Sequence, residues 1–387
     1  MLPKKQFFFV CLLIITLLLV GCKATTPAET VEPIRIGAIW SLTGEFSVAG
    51  IPGNQAAELA LKKINEEGGL LGRPVEFVTV DAKGDQNETI NAMKRLIYEE
   101  EVQAVIGLEG GIYVTASAPI AQEAGVPFLI SIGTSYDLIE PGEFIFMTAF
   151  GDDYQGLALA RFAINVLGAK TTTVMTNEGE PYSEGLSNFY IEAFKNELGE
   201  DSVITQEMFV SGDVDFSTQL TRIRALDPQP DVLAILVNPI EAPLIAKQAR
   251  ELGIEAQFIG GDGVDSVDLV GLGGDAVEGM IYSTPFFAEH LTTSVGEEFV
   301  SLWEEKYGST PSAWPAEGFD TALLMFEAIR KAGVVESEEI RKALLSIDGF
   351  EGATGTYRYV DTRTPAKSVI FVKIESGERV FLEEYTP

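Results

Sequence analysis

The feature that most restricts this chain is an alternation of strands and helices that runs through once and then starts again. Residues 34–40, 75–81, 104–107 and 128–130 read as strands, with helices over 54–67, 89–100 and 114–124 between them. In the first of these helices Ala57, Ala60, Leu61 and Ile64 fall on one face, and Gly68-Gly69 supplies a stop. A second round follows: helix 157–167, strand 173–176, helix 184–198, strand 203–209, helix 217–226, strand 232–237, helix 242–252 and strand 258–260. The run Val232 to Val237 is apolar without a break, as suits a parallel strand covered by helices on both faces. The pattern predicts an α/β protein with two doubly wound parallel-sheet lobes. The last third adds a strand at 280–284, helices at 297–307, 316–332 and 338–346, and strands at 355–360 and 369–375. Such an ending implies that the chain crosses back between the lobes and leaves each discontinuous in sequence.

Charge removes several function classes. Among 387 residues, 27 Lys and Arg face 58 Asp and Glu, a formal charge of −31. Nucleic acid requires clustered basic residues, and an anionic lipid surface would repel this chain. With 46% hydrophobic residues, the chain can bury two sizeable cores and is not a disordered polymer.

The N-terminus reads as an address. Lys4 and Lys5 precede an uncharged apolar run from Phe7 to Val20, shorter than the roughly 20 residues that cross a bilayer but suited to a secretory signal. The run ends in Leu19-Val20-Gly21-Cys22, which resembles the lipobox of bacterial lipoproteins, where the cysteine is lipidated after cleavage. The alternatives are an ordinary signal peptide and an uncleaved anchor. Cleavage before Cys22 removes two lysines and no acid, taking the charge from −31 to −33, and leaves Cys22 as the only thiol. Residues 23–33, rich in Thr, Pro and Glu, read as a tether. The expected location is extracytoplasmic, on a lipid anchor in a bacterial membrane.

Enzyme signatures are weak. The first strand runs into Ser41-Leu42-Thr43-Gly44 rather than the glycine spacing of a dinucleotide site. Gly271-Leu272-Gly273-Gly274 lacks that spacing too, and no Walker sequence appears. His290 is the only histidine, set in an acidic, Thr-rich loop with no serine elbow nearby. Asp262, Asp265 and Asp268 lack the alternating ligands of a calcium loop, and the last two read as caps, as do Asp213 and Asp215. No catalytic residue, cofactor or metal is expected.

The stretch IRIGAIWSLTG at 34–44 resembles the opening strand and loop of the branched-chain amino-acid-binding family, the extracytoplasmic receptors of ABC importers. The likeness continues through AAELALKKINEEGGLLGRPVEFVTVDAKGD (56–85), APIAQEAGVPFLISIGTSYDL (118–138) and YSEGLSNFYIEAFK (182–195). It goes on through DFSTQLTRIRALDPQPDVLAI (215–235) and AKQARELGIEAQFIGGDG (246–263), covering essentially the whole mature chain in order.

The resemblance implies the type I periplasmic-binding-protein fold, two lobes joined by three hinge crossings with the ligand enclosed between them. By analogy the crossings fall near Ala149, Thr284 and Ala353. The first lobe would then be 34–149 plus 285–353 and the second 150–284 plus 354–387, after a signal at 1–21 and a lipidated tether at 22–33. It further implies that the ligand carboxylate is held by the loops after the third and fourth strands, here Glu109-Gly110-Gly111 and Ile132-Gly133-Thr134. Thr134 matches a hydroxyl donor, and Ile132 a residue whose backbone contacts ligand. Asp262 matches the acid that pairs with the ligand ammonium, and Tyr182 an aromatic from the second lobe; Trp40 or Phe46 would shape the side-chain pocket.

Three departures bear on the ligand. Gly110-Gly111 stand where relatives often carry serine, Glu109 adds an acid to the same loop, and Asn238 lies where relatives place tyrosine. The expected function is a monomeric receptor that captures an amino acid, branched-chain or otherwise apolar, and delivers it to an ABC permease. The alternatives are a receptor for an amide, amine or other small polar ligand, and a sensor subunit that signals without transport.

Overall fold

The computed structural model describes residues 32–44, 46–266, 268–359 and 362–386; the signal segment and Cys22 lie outside them. The first sheet is built from β1 (Ile34–Trp40), β2 (Val75–Asp81), β3 (Val105–Glu109), β4 (Phe128–Ile132) and β5 (Ile145–Met147), in the order β2-β1-β3-β4-β5. Every pairing in it is parallel. Helices α1 (Ser47–Glu66), α2 (Gln86–Lys94) and α3 (Gly111–Ala124) make the crossovers. Gly125 ends α3 in the left-handed conformation (φ 66°).

After α4 (Asp152–Asn165) the pattern repeats with β6 (Thr172–Glu178), α5 (Pro181–Leu198), β7 (Val203–Val210), α6 (Ser217–Arg224) and β8 (Val232–Leu236). It continues through α7 (Glu241–Glu251), β9 (Gln257–Gly260), the short α8 (Asp268–Gly273) and β10 (Ile281–Thr284). These strands join β13 (Val369–Glu375) and β14 (Glu378–Tyr385) in a seven-stranded sheet ordered β14-β13-β10-β9-β8-β6-β7. Its body is parallel, and its β13–β14 flank antiparallel. All five residues of β8 are buried, as expected for a strand with helices on both faces.

Between β10 and β13 the chain returns to the first sheet. Helices α9 (Ser294–Tyr307), α10 (Ala313–Ala332) and α11 (Ser337–Leu345) share one core with β1, β2 and α1. α10 crosses α1 where Gly318 faces Gly53: a Cβ on Gly318 would stand 2.3 Å from the Gly53 carbonyl oxygen. The helices touch there backbone to backbone, which only glycine allows.

The hairpin β11 (Asp348–Gly352) and β12 (Gly355–Arg358) stays with this first-sheet core. Tyr357 and Tyr359 are fully buried in it, and the Tyr359 hydroxyl donates to the Met147 carbonyl at 2.6 Å. Asp320 of α10 accepts from the Thr354 N–H (2.8 Å), the Thr354 hydroxyl (2.8 Å) and the Tyr357 hydroxyl (2.9 Å). The chain therefore rejoins the second sheet at Val369 and not at Ala353, because two buried tyrosines hold the intervening hairpin on the first.

Candidate ligand cleft

The cleft lies where the carboxyl ends of β3, β4, β6, β8 and β9 converge, the position open parallel sheets reserve for ligands. It encloses about 740 Å³, counting its open mouth. Eight of the nine ligand-contact residues expected from sequence line it: Glu109, Gly110, Gly111, Ile132, Thr134, Tyr182, Asn238 and Asp262.

Trp40 is the exception and is corrected here. It is fully buried under α1, its ring 2.7 Å from where a Gly53 Cβ would stand, and it does not line the cleft. Alternation explains this: Trp40 points from β1 into the α1–α10 core while the cleft opens past the strand end. Phe46 does line it, edge-on to Tyr113 with ring centroids 5.6 Å apart.

The first-lobe wall takes its polar groups mostly from backbone, beside the apolar side chains of Phe46, Val48, Leu138 and Trp314. Gly110 has φ 81°, a conformation glycine adopts freely, and its turn opens directly into α3. The α3 N–H groups without intrahelical partners and its dipole favour an anion at that end. Gly111 approaches the opposite lobe closely: a Cβ there would lie 3.2 Å from Pro181 Cβ and 3.5 Å from Glu180 Oε1. Thr134 is 3% exposed, and its carbonyl accepts the Asp152 N–H at 2.8 Å, tying β4's loop to the first turn of α4.

The second-lobe wall carries two carboxylates, Glu180 and Asp262, beside Tyr182, Asn238, Pro239 and Ile240. Asp262 accepts from Gln155 Nε2 at 2.8 Å and also bonds the Tyr182 hydroxyl, which in turn accepts the Gly263 N–H at 2.8 Å. Burial raises the Asp262 pKa against those bonds. Glu180 caps α5 by accepting the Ser183 N–H at 2.9 Å; burial raises its pKa, and the Asn238 side chain bonds its carboxylate. Behind them Asp152 is wholly buried, and neither oxygen has a hydrogen bond of ordinary geometry, although the Thr134 hydroxyl is near enough to favour its anion. Desolvation first, and the neighbouring Asp262 charge second, push Asp152 well above the usual carboxylate range.

Glu109 is the one acid on the first wall. It is fully buried at the end of β3; Oε1 accepts the Ser41 N–H at 2.7 Å and Oε2 has no hydrogen bond of ordinary geometry. Burial pushes its pKa up to about 7, with the Asp81 charge adding to the rise and Ser41 opposing it. No Lys or Arg lines the cleft among the described residues.

Glu180, Asp152 and Trp314 were not anticipated from sequence. Each sits within or just before the first turn of a helix whose start apolar periodicity placed several residues too late. Asp265, expected as a cap, instead accepts the hydroxyls of Tyr282 (3.2 Å) and Thr284 (2.7 Å) and pairs with Arg379. Asp215 accepts the Ser217 N–H at 2.9 Å from just ahead of α6, whose N-cap position is Phe216. His290 stacks on Phe381, 3.1 Å from Glu384, and does not line the cleft.

A parallel sheet and a largely parallel one flank a cleft of apolar and buried acidic side chains, and the chain returns from the second to the first through α9, α10, α11 and the hairpin; this defines a two-lobed solute-binding receptor. The family model described as "Periplasmic binding protein" matches residues 33–379, and the chain belongs to that family. The Leu/Ile/Val-binding protein BraC3 of Rhizobium johnstonii is 26% identical over 375 residues, 95% of this chain and 99% of that one. Among solved structures, the leucine binding protein LivK of Thermotoga maritima superposes with a TM-score of 0.85 and 33% identity over 92% of this chain and 99% of its own. The branched-chain amino acid transporter substrate-binding protein LivJ of Streptococcus pneumoniae, in complex with isoleucine, superposes with a TM-score of 0.83 and 26% identity over 92% and 100%. The family is one of extracytoplasmic solute-binding proteins that serve ABC transporters and are not enzymes.

Proposed function

We propose that this receptor captures a free α-amino acid with an apolar side chain and hands it to an ABC permease, without chemical change. One observation carries the reading: a wall of backbone N–H groups and a helix N-terminus faces a wall of buried carboxylates. A zwitterion fits that opposition, its carboxylate towards Gly110, Gly111 and Thr134 and its ammonium towards Asp262, with Asp152 behind. A buried carboxylate needs such a cation to offset its desolvation. Phe46, Val48, Leu138, Pro239, Ile240 and Trp314 offer an apolar bed for the side chain. The relatives' names, which cite leucine, isoleucine and valine, support the same class.

The two lobes close as bodies about the crossings near Ala149 and Thr284, and the β11–β12 hairpin moves with the first lobe. Export through the N-terminal signal and lipidation at Cys22 hold the monomeric receptor at a membrane, beside the permease. A cationic amine or an amide is the second reading, favoured by the absence of Lys and Arg from the described lining.

The test is thermal unfolding of residues 23–387, stripped of ligand, against the twenty amino acids, amides and polyamines. A ligand at 100 times its Kd stabilises by about 2.7 kcal/mol. A melting shift with leucine, isoleucine or valine supports the first reading. A shift with amines or amides alone replaces it with the second.

A further inference from the structure

We infer that Glu109 carries a proton in the liganded receptor and determines specificity: its Oε2 hydroxyl donates to the ligand carboxylate, and binding takes up a proton from solvent. The inference rests on the reading that the ligand bears a carboxylate. It starts from an asymmetry within one side chain. Oε1 is engaged by the Ser41 N–H, whereas Oε2 is buried with no hydrogen bond of ordinary geometry, although the Ser41 hydroxyl is near enough to favour the anion, in a residue that lines the cleft beside Gly110 and the start of α3. A buried oxygen left unmatched is costly, and a ligand oxygen at the α3 N-terminus would meet it.

The surroundings decide which form Oε2 takes. From β2, Asp81 adds negative charge. From α3, Tyr113 spends its hydroxyl on the Gly84 carbonyl. α1 has no charged residue before Glu58, and α10 offers the buried acid Glu317. Across the cleft stand Glu180, Tyr182 and Asp262, with Asp152 behind them. None of these is a cation; only the hydrogen bonds from Ser41 and from the Glu109 backbone favour the anion, and burial outweighs them, while a second carboxylate arriving at α3 would disfavour that anion further. Protonated, the same side chain supplies a donor in a loop where Gly110 and Gly111 have no side-chain donor of their own.

The linkage has a definite sign. In the free receptor Glu109 titrates at about 7; a ligand that binds only the protonated form raises that value. Affinity is then flat below neutrality and weakens as pH rises above it, by about tenfold per unit.

The experiment is calorimetric titration of residues 23–387 with whichever of the twenty amino acids gives the largest melting shift. Titrations run from pH 5.5 to 8.5, each in two buffers of different ionisation enthalpy. The expected result is uptake of about one proton at pH 8 and none from Glu109 at pH 5.5. In Glu109→Gln the amide donates at every pH, so uptake vanishes and the affinity loses its alkaline fall. Glu109→Met removes the donor, weakening binding about tenfold at pH 6, and it too takes up no proton. It serves as the decisive variant should the glutamine form fail to refold. Asp152, Glu180 and Asp262 remain in both variants, so uptake that persists overturns the inference, as does release of a proton by the wild type. Absence of binding by all twenty amino acids removes the ligand carboxylate and overturns the amino-acid reading together with this one. Binding without a pH-linked proton overturns this one alone.

Discussion

The two walls of the cleft solve opposite problems with opposite materials. The first lobe offers Gly110, Gly111 and the start of α3, where the functional groups are main-chain N–H and polar side chains are nearly absent. The second offers Glu180, Tyr182 and Asp262, where side chains do everything and each is buried in a bonded network. A backbone wall cannot titrate and places its donors with the rigidity of the sheet. A carboxylate wall is poised and costly: burial raises the pKa of Asp152, Glu180 and Asp262 alike. One lobe is thus preorganised, and the other waits for a cation. Glu109 breaks the division by placing an acid on the backbone wall.

The sharpest way to break this contrast is Asp262→Ala. Truncating one partner of a buried ion pair costs about 2–5 kcal/mol, so calorimetry should record amino-acid affinity falling by that amount. An unchanged Kd would move the ammonium elsewhere. Second comes the exceptional acid. The folded-state pKa of Glu109, about 7, lies above its unfolded value of 4.5. Its contribution to the stability of the ligand-free receptor is therefore complete below pH 4.5 and is lost as pH rises through 7. The loss is at most about 3 kcal/mol. Denaturant unfolding of Glu109→Gln should show that decline removed; an identical decline would assign it to the acids of the second lobe.

Third is Gly111→Val, which sets a branched side chain against Pro181 and Glu180. Overpacking of this kind costs about 1–3 kcal/mol and falls on the closed state, so small-angle scattering should lose the compaction that ligand induces in the wild type. The smallest effect belongs to Thr134→Val, which removes one hydroxyl beside Asp152 at about 1 kcal/mol. A loss as large as that of Asp262→Ala would mean that Thr134 holds the second wall in place as well as meeting the ligand.

Legibility in the sequence follows the same contrast. Strands and helix bodies could be read because burial writes an apolar period: β8 is an unbroken buried run, and α1 carries Ala57, Ala60 and Ile64 on its buried face. Helix starts could not. α1 begins at Ser47, ahead of the expected residue 54, because Gly50, Pro52 and Gly53 disfavour a helix by propensity, although Gly50 packs tightly on Ser41 and Gly53 on Trp40 and Gly318. α4 begins at Asp152 and α10 at Ala313, ahead of 157 and 316. First turns aim N–H groups and short polar side chains at the cleft, so they lack the apolar signal that marks a helix. Asp152 and Glu180 were missed for that reason. β14 was missed because an edge strand of Glu, Arg and Tyr alternates only weakly.

The chain holds three tryptophans, Trp40, Trp303 and Trp314, and the architecture gives them different solvents. Trp40 is sealed beneath α1, and Trp303 is packed against Phe299 and Tyr307 in the α9 core. Trp314 alone faces the cleft. Intrinsic emission is therefore a site-resolved gauge in the unlabelled protein. Two fluorophores supply a constant background, and the third changes when an occupant displaces water from its ring, so a change in emission that survives in Trp314→Phe would have to originate in lobe movement beyond the cleft.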